Sequence, residues 1–506
     1  MSSDASQHFM APTIVWLRKD LRIFDNAALT AAAAKGAPVI PLYILSPDEE
    51  GKTASSCASS WWLASSLTSL ANDLSGIGAP LVVREGETLS VLREIIHDTG
   101  AAAVFWNRHY EPLSIVKERN LKGALAAIGM DVQTFAGNLL YEPWQILSSK
   151  CEPYRIFGSF CKALMSLPEP DLPLEAVSRL TPVEHQPTSI PIDELNLAVD
   201  ERVSKTLPEY WQVGESSARK KLSRFIDERL QGYSTDRDFP ACVATSRLSP
   251  HLVFGEISAR TVFHAVRNAG KNGGSSIVGG ANEFLRQLCW REFAYNQLYH
   301  YPSIADSPLK SEFESFPWQC DEGMLASWKQ GNTGYPLIDA AMRELLTTGW
   351  INNRMRMIVA SFLVKDLLLS WQEGARWFSE RLVDADMANN VLGWQWSAGC
   401  GFDCAKYTRI FNPVVQSAKF DPSGDYIRAW VPEVKRLDSK WIHKPWEAPN
   451  AVLREANIEL GATYPLPLVD HKMARQRALH AFEIMRLAQQ ATSEKKLQEA
   501  GDIGER

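Results

Sequence analysis

Two carboxylates, two asparagines and two indoles stand within thirteen residues in Asp384-Ala-Asp-Met-Ala-Asn-Asn-Val-Leu-Gly-Trp-Gln-Trp396. So dense a mixture of charge, amide and ring is costly to keep unless it holds something. As an ordinary helix start, the same residues read as Asp384 or Asp386 capping and Trp394 and Trp396 in a core. A second segment, Tyr233 to His251, contains Thr245, Ser246, Leu248 and Ser249, followed by Pro250. Ser-Pro signals a helix start, with Ser249 as the capping hydroxyl. These hydroxyls would then stand at the positive end of a helix, an anion site suited to a diphosphate; plain capping is the competing reading. In the third segment, Gly349 to Met357, Asn353 and Met357 lie four apart on one helix face with Arg356 beside them. A buried Arg356 requires a carboxylate, and Asp384 is the obvious partner. In Phe284-Leu-Arg-Gln-Leu-Cys-Trp-Arg-Glu-Phe293, Trp290 and Glu292 fall on different helical faces. Trp290 can therefore face a cavity while its neighbours pack, although a lone helical Trp otherwise reads as core.

The elements that must position these residues fall into two styles. From Thr13-Ile-Val-Trp16 to Val132-Gln-Thr-Phe135, short β-branched runs alternate with helical ones. Strict alternation predicts an α/β doubly wound parallel-sheet domain over residues 1–140. The first strand leads into Leu17-Arg-Lys-Asp-Leu-Arg-Ile-Phe-Asp25 without a glycine fingerprint, and the chain has no Walker-type loop, which weakens dinucleotide-binding and nucleotide-hydrolysing readings. Residues 141–208 are rich in Pro, Ser and acids and read as a partly ordered surface connector. Beyond them strand signals nearly vanish, and Leu222, Phe225, Ile226 and Leu230 open a run of amphipathic helices. An all-α domain is expected over 209–480, with a frayed helix and short polar tail over 481–506.

Composition bounds the reading without deciding the partner. The chain has 506 residues, 45% hydrophobic and 22% charged, which suits a globular protein of two domains. A net charge of −6 excludes a uniformly basic nucleic-acid coat but not a local basic face. The eight cysteines are scattered, with Cys400 and Cys404 the only close pair, so reduced thiols and no metal site are expected. No run of transmembrane length and no secretory signal are present, so a soluble intracellular protein is expected.

Together these segments resemble the photolyase and cryptochrome family from about Thr13 to about Leu479. Tyr407-Thr-Arg-Ile-Phe-Asn-Pro413 and Lys419-Phe-Asp-Pro422 extend the resemblance. It implies an α/β domain able to carry an antenna pigment and a helical FAD-binding domain. Tyr233, Thr245, Ser246, Leu248 and Ser249 match the diphosphate segment of the family. Asn353, Arg356, Asp384, Asp386 and Asn390 match positions around the isoalloxazine ring. Asn390 matches the residue facing the redox-active nitrogen, where an amide can accept a hydrogen bond but cannot supply a proton. DNA-repairing photolyases carry Asn there and plant cryptochromes Asp. Trp394, Trp371 and Trp318 match a chain of three tryptophans that passes electrons from the surface.

The resemblance also implies a substrate, UV-damaged DNA, in which a cyclobutane pyrimidine dimer is flipped out and split by an electron from light-excited reduced FAD. Trp290, Trp396 and Met357 match the walls around that lesion, and Arg237, Arg354 and Arg409 match phosphate contacts. Gln287 departs from the usual Glu of dimer photolyases and is found in those acting on (6-4) photoproducts. The paired histidines of the latter would fall at Asn353 and Met357, and neither is His here. The rival expectation is a signalling cryptochrome, which Leu139-Leu-Tyr-Glu-Pro-Trp144 resembles; Asn390, Trp290, Met357 and the short tail speak against it. A light-independent DNA-binding factor would instead purify colourless. The antenna would be methenyltetrahydrofolate or a deazaflavin, with Asn107 and Glu111 as candidate contacts, and a monomer is expected.

Overall fold

Five short strands, the central three buried throughout, form a single parallel sheet: β1 (Thr13–Leu17), β2 (Val39–Leu45), β3 (Val82–Glu85), β4 (Ala103–Asn107) and β5 (Asp131–Phe135), in the order β3-β2-β1-β4-β5. The computed structural model describes residues 10–49, 57–195, 197, 199 and 201–504. Side chains alternate across the strands. Ile14, Trp16, Ile40, Leu42, Val104 and Trp106 share a core with Val91, Leu92 and Ile95 of helix Thr88–Thr99 and with Leu121 and Leu125 of helix Pro112–Ala126. Helix Ala27–Ala34 packs against β1, β4 and β5. A sheet buried in this way has the near-continuous apolar strands that the sequence shows. Pro41 stays inside β2 opposite Val15, because pairing with β3 begins only at Leu42 and its missing amide costs no ladder bond on that side.

The chain divides into two units. One comprises Met1–Ser234, Thr245–Pro302 and Val383–Asp386; the other comprises Thr235–Ala244, Ser303–Leu382 and Met387–Arg506. This division does not follow the expected boundaries at 140, 208 and 480. In the first unit a second core joins Leu222, Phe225, Leu230 and Tyr233 to Val262, Phe263, Phe284 and Leu288 of the helices Ala259–Asn272 and Ser275–His300. The loop after β1 ties that core to the sheet. The buried Arg22 donates to the carbonyls of Asp25, Gly137 and Gly255, and Asp25 pairs with Arg260. The stretch read as a connector contains helix Phe157–Ser166, with Phe157, Phe160 and Leu164 buried.

The second unit is helical. Helix Asn353–Ser361 runs on into one π turn, Phe362–Asp366, that ends at Leu368 with a positive φ of 58°. The expected polar tail is instead part of one helix, His471–Gly504, and residues 505 and 506 lie outside the described residues. Among the described residues no helix is long and apolar enough to cross a membrane.

Candidate functional site

In the second unit, helices Trp371–Arg381 and Met387–Ala398 pack side by side, and the packing decides what each side chain of the second helix can do. Asn390 Nδ2 donates to the Ala375 carbonyl at 2.8 Å and to Ser379 Oγ at 2.9 Å. A carbonyl only accepts, so the amide nitrogen must face it. Oδ1 is thereby turned away, with no protein partner among the described residues, as a fixed acceptor. One turn on, the Trp394 ring rests over Gly374, where an added Cβ would lie 2.0 Å from Cη2, and Phe378 and Trp328 meet it edge-on at 5.0 and 6.1 Å. Trp371, one turn before Gly374, is buried. Gln319 forms a backbone bridge with Leu369 and donates to Leu368 at 2.9 Å, which brings the Trp318 segment to the start of the Trp371 helix. Trp318 packs on Phe316 at 4.3 Å and is partly exposed. Three indoles distant in sequence thus follow one another through one helix face and one bridge.

Asn353 and Met357 do share a face of helix Asn353–Ser361, with Asn353 Nδ2 3.9 Å from Met357 Sδ. Arg356 is only half-buried and donates to the Ile351 carbonyl at 3.0 Å, so complete burial cannot be the reason it needs a partner. Trp396 is partly exposed. The three arginines expected on phosphates differ. Arg354 forms an ion pair with Asp238 at 2.5 Å and lies over the Phe420 ring at 4.7 Å. The Arg237 side chain is 13% exposed, 3.9 Å from the same carboxylate. Arg409 is exposed, stands over Phe411 at 5.5 Å and has no carboxylate partner among the described residues. Arg354 and Arg409 line a cavity of about 430 Å³ together with Phe239, Phe411, Lys419 and Phe420. Lys419 and the three rings escaped the sequence reading as site residues. They come from three separate segments, each inside a stretch that carries the family resemblance, which was the signal available.

In the first unit, Asp384 and Asp386 are both buried, and Tyr295 donates its hydroxyl to Asp386. Burial, and after it the charge of Asp386, holds the Tyr295 phenol well above its usual range. Tyr233 is a core residue edge-on to Phe225 at 5.4 Å and to Phe284 at 5.3 Å. Ser246 Oγ accepts from the Leu248 amide at 3.3 Å, across a turn in which Arg247 has a φ of 51°. The capping expectation is corrected here. Ser249 is the first residue of a helix of five, Ser249–Val253, with Leu248 in the cap position, and the Leu248 side chain is core. Gln287 donates to Glu283 one turn earlier at 2.7 Å. Trp290 is half-buried, with one face stacked on Phe157 at 3.6 Å, so only its other face can meet a ligand. Asn107 is fully engaged, donating to Asp20 and Asn26 and accepting from Ala28, while Glu111 pairs with Lys19.

Glu292 pins the Trp290 helix by accepting from the Leu140 amide at 2.9 Å. Burial pushes its carboxyl up to about 7, against the pull of Arg291 and of the amides of Leu140 and Tyr141. A carboxyl raised in the folded state binds its proton there while the unfolded chain has already released it, so stability falls as pH rises from about 4.5 to 7. Glu292→Gln is therefore expected to lose on the order of 2–3 kcal/mol less stability than the parent over that window. Denaturant midpoints of both proteins across the window check this, and parallel curves would reject it.

A five-stranded parallel sheet and a helical second unit make an α/β protein with a helical cofactor-sized unit, and comparison with known families says which class this is. The family model for DNA photolyase matches residues 13–178, and that for the FAD binding domain of DNA photolyase matches residues 284–484. The chain belongs to the photolyase and cryptochrome family. It is similar to the deoxyribodipyrimidine photo-lyase of Agrobacterium fabrum, 44% identical over 93% of this chain and 98% of the relative. It is also similar to Cryptochrome-1 of Arabidopsis thaliana, 40% identical over 94% of this chain and 70% of the relative. Among solved structures, a class III photolyase from Agrobacterium tumefaciens matches with a TM-score of 0.92 and 44% identity, covering 96% of this chain and all (100%) of that one. In the second unit, the fixed acceptor of Asn390 has the chemistry that the N–H of a flavin ring would need.

Proposed function

We propose that the protein repairs cyclobutane pyrimidine dimers in UV-damaged DNA, driven by light absorbed by bound reduced FAD. The cavity lined by Arg354, Arg409 and Lys419 beside Phe239, Phe411 and Phe420 carries this reading, because cations next to flat rings are what a nucleic-acid strand requires. When bound, FAD supplies a light-activated electron that the lesion accepts and returns. Asp384, Asp386 and Arg356, with Tyr233, Thr245, Ser246, Leu248 and Ser249, hold the nucleotide. Asn390 presents an acceptor and no proton. Trp396, Met357 and the open face of Trp290 wall the flipped bases, with Asn353 at the edge and Gln287 donating a hydrogen bond where an acid would also have supplied a proton. Trp318, Trp371 and Trp394 pass an electron inward from solvent. In this reading residues 1–140 carry an antenna, methenyltetrahydrofolate or a deazaflavin, and residues 209–480 the FAD and DNA functions.

The test is loss of lesion from oligonucleotides carrying either a cyclobutane dimer or a (6-4) photoproduct, with reduced holoprotein under blue light. Dimer repair alone is expected, since Asn353 and Met357 supply no histidine. No repair of either lesion by a yellow protein would replace this reading with that of a signalling receptor, which the similarity to Cryptochrome-1 makes the second choice. Arg409→Ala is expected to weaken damaged-DNA binding and to reduce the slope of log affinity against log salt by roughly one unit. Arg237→Ala, at a side chain already turned to Asp238, is expected to leave the slope unchanged. Equal slopes for parent and Arg409→Ala would remove Arg409 from the interface.

A further inference from the structure

Spacing along the chain pairs only Cys400 with Cys404, yet folding sets two other cysteines side by side. Cys161 lies on helix Phe157–Ser166 and Cys289 on helix Ser275–His300, and the two helices run antiparallel: Gln297 donates to the Tyr154 carbonyl at 2.8 Å and Phe157 meets Phe293 at 5.9 Å, a register that sets Cys161 opposite Cys289. The aromatic packing on either side holds them there. Phe157, one turn before Cys161, stacks on Trp290, the residue after Cys289, with ring centres 3.6 Å apart and planes 8° from parallel. Phe160 meets Phe293 at 5.2 Å. Arg286 lies over the Phe157 ring at 4.8 Å, and its charge acts on both sulfurs. Cys161 is partly exposed and Cys289 is buried, so solvent reaches one sulfur while the other stands behind it.

We propose that Cys161 and Cys289 are a peroxide-oxidisable thiol pair that closes to a disulfide and fastens helix Phe157–Ser166 to helix Ser275–His300 beside Trp290. The chemistry balances in two steps. The Cys161 thiolate attacks hydrogen peroxide, the O–O bond breaks, and with one proton taken up the products are a sulfenic acid and water. The Cys289 thiol then attacks that sulfur, the S–O bond breaks, and a disulfide and a second water form. Two electrons leave the sulfurs and reduce the peroxide. The surroundings favour this division of roles. The hydrogen bond from Cys289 and the Arg286 charge bring Cys161 down to about 7 against its burial. Its hydrogen bond to Cys161, then burial and the nearby Glu292, hold Cys289 in the protonated form. Tyr141 also faces Cys289, and its phenol is itself raised by burial. The attacking sulfur is thus the accessible one with thiolate character, and the resolving thiol is already in contact with it.

The experiment treats the full-length holoprotein with hydrogen peroxide in the dark, then alkylates and digests it without reductant for mass spectrometry. A peptide pair linked through Cys161 and Cys289 is expected, reversed by dithiothreitol. The unoxidised protein should alkylate at Cys161 roughly tenfold faster at pH 7 than at the exposed Cys151, Cys242 and Cys320. Cys289→Ser should stop at a dimedone-reactive Cys161, and Cys161→Ser should leave Cys289 unmodified. The disulfide should raise the apparent melting temperature of the parent by roughly 5 °C or more, and neither variant should respond. Oxidation of Cys161 to the sulfinic acid without the linked peptide, or no preference for Cys161 over the exposed cysteines, would overturn the proposal.

Discussion

Gly374→Ala is expected to cost about 2 kcal/mol of stability and to abolish photoreduction, in a protein that still binds FAD. On propensity alone the sign should be the reverse, since Ala in a helix interior is favoured over Gly by up to about 1 kcal/mol. Sterics decide otherwise. The new Cβ would lie 2.0, 2.3 and 2.6 Å from three atoms of the Trp394 ring. That ring cannot slide aside cheaply, because Phe378 and Trp328 already meet it at 5.0 and 6.1 Å. Either the indole turns out of line with Trp371 or helix Trp371–Arg381 shifts, and both disturb the electron path proposed above. Denaturant unfolding and the initial rate of flavin bleaching under blue light measure the two effects. A variant as stable as the parent, bleaching at the parent's rate, would show that Trp394 has room to spare and lies off the path.

Asn390→Asp is expected to add a pH dependence of stability to the one that Glu292 gives the parent, and to alter the absorption of the illuminated holoprotein. The amide nitrogen now donates to Ala375 and Ser379. An ionised carboxylate would set an oxygen against the Ala375 carbonyl and lose both donors, at about 1–3 kcal/mol. A protonated one recovers a donor. The folded state therefore raises the carboxyl above its unfolded value of about 4, and the variant is most stable below that value and loses stability as pH rises through the folded one. The group would also bring a transferable proton to the place where Asn390 offers only an acceptor. Unfolding midpoints of variant and parent between pH 5 and 8, beside their spectra under blue light, decide the matter. A difference independent of pH would mean that the amide orientation inferred here is wrong.

Much of the fold was legible because burial leaves a period in the sequence. Strand runs of β-branched residues, each followed by a helical period, admit few arrangements other than a parallel sheet, and all five strands lie where that alternation puts them. The pairing of Asn353 with Met357 followed from the turn of a helix alone. What the local pattern left open depended on contacts that it does not record. Ser249 looked like a cap, but the turn at Arg247 starts the helix one residue early. Arg237 looked equivalent to Arg409 until Asp238 took up one and solvent the other. Asn107 looked open to a pigment, yet Asp20, Asn26 and Ala28 use its whole amide.

Residue types and their order by themselves determined the family, the α/β and helical architectures, and the short list of amides, carboxylates and indoles from which the site is drawn, because each leaves a local pattern that survives without contacts. The tertiary structure alone decided which way the Asn390 amide points, which of three arginines has no carboxylate partner among the described residues, which face of Trp290 is open, and that Cys161 stands opposite Cys289. Most of those outcomes are set by a neighbour tens to hundreds of residues away, and no local period records where such a neighbour will stand.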